Sequence, residues 1–78
     1  MDRAAAHAVT KALLMDLHRK LQEAASIAKA AEACAVSGNV QSAVKMAMDI
    51  EEPTYQANRM LNAALLVSSG LSERGPQA

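Results

Sequence analysis

Seventy-eight residues carrying eight basic and eight acidic side chains, for a net charge of zero, hold one domain at most. They exclude a protein that grips a nucleic-acid backbone by general electrostatics, which needs clustered Lys and Arg. Hydrophobic residues make up 51% of the chain, but alanine dominates them and Tyr55 is the single aromatic, so the core is small and a second chain must help complete it.

In chain order, His7, Lys11 and Asp16 interrupt any apolar leader core, so no secretory signal is expected. No run approaches the ~18 apolar residues of a membrane span. Cys34 is the one cysteine and cannot form an internal disulfide, which fits a reducing compartment. A cytoplasmic location with no membrane contact is the expectation.

Asp2 is placed to cap a first helix that runs without Gly or Pro to Val36. Leu14, Leu17, Leu21, Ala24, Ala28, Ala31 and Ala35 alternate three and four apart, the spacing of a helix-packing seam. Leucines fill its first part and alanines its second, so a partner backbone can approach closer near Val36. Ile27 and Cys34 fall on the flank of this stripe. Gly38 suits the left-handed position after the helix, and Ser37 or Asn39 can cap the next one.

A second segment, 40–50, places Val40, Ala43, Val44, Ala47 and Ile50 on one face. It stops near Glu51-Glu52-Pro53, where proline fits a new first turn and the glutamates suit a helix N-terminus. The third segment, about 54–69, places Ala57, Met60, Leu61, Ala64, Val67 and Ser68 on its apolar face, with Gly70 closing it. Residues 1–71 form the expected domain and 72–78 a flexible tail.

The series Ala43, Met46, Ile50, Pro53, Ala57, Met60, Ala64, Val67, Leu71 also alternates three and four, so a heptad passes straight through Pro53. The last two segments together span about 45 Å at 1.5 Å per residue, close to the first helix's length. Proline inside a helix costs about 3 kcal/mol. The expected fold is therefore all-α: a long first helix and a return arm broken or kinked at Pro53. A kink gives an antiparallel helical hairpin, a full break a small three-helix bundle, and two copies are expected to pair into a larger bundle. Ile27 to Pro53, with Gly38-Asn39-Val40 at the turn and Ala43 after it, resembles a tetratricopeptide helix pair. The unit occurs once and lacks that family's large aromatics, and at least three are normally stacked, so the likeness implies a tight helical hairpin and no more.

Candidate chemistry is sparse. His7 and His18 lie about 16 Å apart along one helix and cannot share a metal within one chain. Cys34 lacks a patterned base and reads as a small buried hydrophobe. Met46 and Met48 point in different directions on a helix. Asp49, Glu51 and Glu52 lack the loop that calcium requires. No catalytic, metal or cofactor residue is assigned, and the chain is expected not to be an enzyme.

The candidate interaction residues lie on the third segment: Tyr55, Arg59, Asn62 and Leu66 at spacings of four, three and four, with Leu65 at their edge. Tyr and Arg beside exposed leucine is a hot-spot composition. The alternative is that this face packs on the first helix of the same chain. Leu14, Leu17, Leu21, Met60, Leu61 and Leu65 would form the core of contact with a second hairpin or another helical protein. A small non-enzymatic interaction module is therefore expected, with a homodimer or another helical protein as partner. The rivals are a dimeric nucleic-acid-binding regulator, using Lys11, Arg19, Lys20 and Lys29, and a metal or redox carrier using Cys34, His18 and the methionines.

Overall fold

The computed structural model describes residues 2–74 and is all-α. Helix α1 spans Arg3–Val36, α2 spans Val40–Ala47, and α3 spans Glu51–Arg74; a single 3-10 turn, Met48–Ile50, joins the last two. The molecule measures 60 × 16 × 15 Å.

Each boundary has a local cause. The Asp2 backbone is extended, and its Oδ1 accepts the Ala5 amide at 2.7 Å, which satisfies one of the free N–H groups opening α1. At the other end, Gly38 adopts φ +102. The Asn39 amide donates to the Cys34 carbonyl at 3.1 Å and the Gly38 amide to Ala35 at 2.9 Å, the paired bonds of a Schellman cap. Asn39 opens α2 through its backbone carbonyl, which accepts from Ala43, and makes no side-chain cap. Gly38→Ala meets nothing within 4 Å, so its cost is the backbone conformation alone. About 1–2 kcal/mol of stability is expected to be lost in urea unfolding.

The return arm bends without breaking. Pro53 cannot donate to the Asp49 carbonyl and its ring crowds that group. The 3-10 turn immediately before α3 absorbs the misfit, and Ala47, Met48 and Glu51 all keep right-handed helical angles. α1 packs against α2 and along α3, whereas α2 and α3 do not touch. This is a kinked antiparallel hairpin and not a three-helix bundle. The heptad that runs through Pro53 is the inward stripe: Ala43, Pro53, Ala57 and Ala64 are buried, and Met46, Ile50, Met60 and Val67 half-buried.

Three expectations shift. α3 begins at Glu51, with both glutamates in its first turn, and continues through Gly70 to Arg74. The expected tail is thus helical over 72–74, while 75–78 lie outside the described residues. Ala6 is 3% exposed near the start of α1. The antiparallel arm that covers it must extend this far, so tertiary contact overrides a glycine worth about 1 kcal/mol of helix propensity. Val40 and Val44 face outward, because the Ala43–Met46–Ile50 stripe takes the inward side of α2.

The α1 seam is rotated relative to the one expected. Leu17, Ala24, Ala31 and Ala35 face inward as anticipated, but Leu14, Leu21 and Ala28 are exposed. Leu13, Lys20, Ile27 and Cys34 are half-buried instead, although Ile27 and Cys34 are expected on the flank, and Ala6 and Thr10 continue this alternation of three and four. Beside the turn, the Cys34 Sγ donates to the Asn39 carbonyl at 3.4 Å. Lys20 tolerates the position by burying its stem while its Nζ reaches Glu23 Oε2 at 3.4 Å.

Candidate functional site

Rotating the seam leaves the hairpin with two unlike edges. On one, Leu14, Leu17 and Leu21 of α1 face Thr54, Ala57, Asn58 and Leu61 of α3 across an almost wholly apolar groove. Around Leu14 this groove continues toward the start of α1 past His7, Lys11, His18 and Ser68. Through Thr54 and Asn58 it continues to Val44, Met48 and Tyr55 beside the kink. Leu65 stands one turn beyond Leu61 on the same side. Leu14, Leu21, Leu61 and Leu65 are 48%, 46%, 42% and 55% exposed, and Val40, Val44 and Met48 about 60%.

The opposite edge sets charged and polar groups beside apolar ones: Lys20, Gln56 and Arg59 border Leu13, Met60 and Ala63. Gln56 donates to Glu52 at 3.1 Å, and Lys20 pairs with Glu23.

The outer row of α3 does not pack on α1. Tyr55, Arg59, Asn62 and Leu66 are all exposed, Leu66 to 75%. The Arg59 guanidinium lies 5.8 Å from the centre of the Tyr55 ring, within cation–π range. Leu65 belongs with Leu61 on the apolar edge, not with this row. Met60 is half-buried in the hairpin, while Leu61 lies at its rim.

Sequence reasoning missed Val40, Val44 and Met48 as part of the exposed surface, although a signal was present. Once Ala43, Met46 and Ile50 are accepted as the inward stripe, residues 40, 44 and 48 must lie outside it. It does name Leu14, Leu21, Leu61 and Leu65 among the residues of contact with a second helical surface, and all four are exposed here.

The other candidate groups are dispersed. His7 and His18 line one groove with Lys11 between them, and no three His, Cys, Asp or Glu side chains converge among the described residues. Met46 turns inward and Met48 outward. Of the basic residues proposed for nucleic acid, Lys11 sits in the apolar groove and Lys20 on the opposite edge. Arg19 pairs with Asp16 at 3.3 Å and Lys20 with Glu23. Lys11 and Lys29, five full turns apart on α1, share an exposed face, while Lys20 lies on the opposite edge. No described helix is long and apolar enough to cross a membrane. Compared with protein-family models, curated proteins and solved structures, the chain matches none, so the reading of this surface rests on its own geometry.

Proposed function

We propose that this chain is a non-catalytic helical association module whose working surface is the apolar edge around Leu14, Leu21, Leu61 and Leu65. One observation carries the reading: among the described residues the buried ones are Ala6, Ala24, Ala31, Ala43, Pro53, Ala57 and Ala64, while those leucines stay roughly half exposed. A buried methyl is worth about 0.8 kcal/mol, and a fully buried leucine about 1.5–3 kcal/mol. The hairpin therefore buries its small groups and leaves its larger apolar gain unrealised until another helical surface covers the edge. The partner is a second copy or an amphipathic helix of another protein, recognised by apolar knobs at helical spacing.

The test places a benzophenone amino acid at Leu61, and in a parallel variant at Glu23 on the opposite edge, followed by irradiation in the organism's own cells. Discrete adducts at position 61 and none at 23 are expected. Position 61 without adducts above background would refute the reading.

A further inference from the structure

We infer that the occupant of the apolar edge is a second copy of this chain, lying antiparallel, with a two-fold axis that crosses α1 between Leu21 and Gln22. The inference rests on the association reading above and adds the partner and its register.

The first argument is area. A compact protein of 8.2 kDa exposes about 4,500 Å², and this chain exposes 5776 Å². The difference is of the order of the ~800 Å² per partner that a standard interface buries. A face running the length of a molecule 60 Å long and 16 Å wide supplies such a footprint.

The second is charge. One heptad row outward from Leu14 and Leu21, α1 presents Lys11, His18, Ala25 and Glu32, all exposed. The ion pairs among the described residues are Arg19–Asp16 and Lys20–Glu23, so Lys11 and Glu32 have no ion-pair partner among those residues. Reversing α1 about the point between Leu21 and Gln22 sets Lys11 opposite Glu32 of the copy, twice per dimer, and His18 opposite Ala25. Pairing the two first helices in parallel sets Lys11 against Lys11 and Glu32 against Glu32. Rim charges of this kind select orientation and register.

The third is shape, and it involves the return arm, which the charges do not. Leu17 and Ala57 line the same groove, so in antiparallel arms the axis level on α1 corresponds to the neighbourhood of Pro53. The same rotation then brings Leu65 level with Val40 of the copy and Leu61 level with its Val44. Leu14 comes level with Lys29 of the other α1, beside its exposed Ala28. The exposed leucines and valines of this edge thus find one another in the register that pairs the charges.

Sedimentation equilibrium on the full chain tests the register through Lys11→Glu and the double variant Lys11→Glu/Glu32→Lys. Both positions are exposed, so folding is not at stake. The single reversal is expected to weaken the dimer about tenfold, because two like-charge contacts appear per dimer, and the double to restore it. As an independent readout, Leu21→Cys in a Cys34→Ala background is expected to form a disulfide with its own copy on mild oxidation, and Leu14→Cys to form none. A dimer indifferent to Lys11→Glu, or not rescued by the double variant, overturns the register. A chain that stays monomeric at every concentration overturns the second copy as occupant. If position 61 still gives adducts to a different protein in cells, the association reading stands while this inference falls.

Discussion

Replacing Ala31 with leucine is expected to cost the hairpin about 1–3 kcal/mol and to lower its melting temperature sharply. Ala31 is 7% exposed and faces the return arm at a level where only small residues and half-buried side chains meet. Three added heavy atoms have nowhere to go without pushing the arms apart or forcing strained rotamers. Separation there is transmitted along the seam, because Ala24 and Ala43 rely on the same close approach. Ala33→Leu is the matched control, since Ala33 is exposed on the same helix and both residues are strong helix formers. Circular dichroism melts should show the Ala31 variant destabilised and the Ala33 variant unchanged. Equal melting of the two would mean that the alanine seam does not set the distance between the arms.

Leu61→Glu acts on the other side of the structure. Leu61 is 42% exposed in the single hairpin, so a carboxylate there can remain solvated and should hardly disturb the isolated fold. In the associated state both copies would carry a charge inside an apolar interface. A central apolar contact is worth roughly 2 kcal/mol or more on truncation, and two per dimer give about 4 kcal/mol, near a thousandfold in Kd. Sedimentation of the variant should show a monomer at concentrations where the parent chain is dimeric. If the dimer persists unchanged, the Leu61 edge is not where the copies meet.

How much of this was legible beforehand depended on whether the deciding interaction was local. The Asp2 cap and the Gly38 turn follow from side-chain chemistry and backbone freedom within a few residues, and both appear where the pattern placed them. The heptad through Pro53 also marked the inward face of the return arm, because a proline that only kinks a helix leaves the three–four alternation intact. The α1 face was ambiguous. Leu17, Ala24 and Ala31 belong to two neighbouring stripes, one completed by Leu14, Leu21 and Ala28, the other by Leu13, Lys20, Ile27 and Cys34. Apolarity favours the first stripe. The fold takes the second, a tertiary outcome that the periodicity of one helix does not encode.

The same choice governs the candidate site. Tyr55, Arg59, Asn62 and Leu66 are exposed, as their placement opposite Ala57 and Ala64 implied. The sequence groups Leu14, Leu21 and Leu61 as a contact core, and the structure adds that they line one open groove with Thr54 and Asn58. Helix spacing locates residues on one helix, but the relative rotation of two helices is a tertiary quantity, and here it decides what the protein presents.

The central claim is that a second copy of the chain covers this edge, and sedimentation equilibrium across a wide concentration range, with circular dichroism at each end, tests it most directly. The expected result is a helical dimer whose helicity falls as it dissociates on dilution, because the alanine core alone leaves the hairpin marginal. A monomer at every concentration, fully helical and unfolding cooperatively, would show that the hairpin is complete without a second copy and would contradict the account.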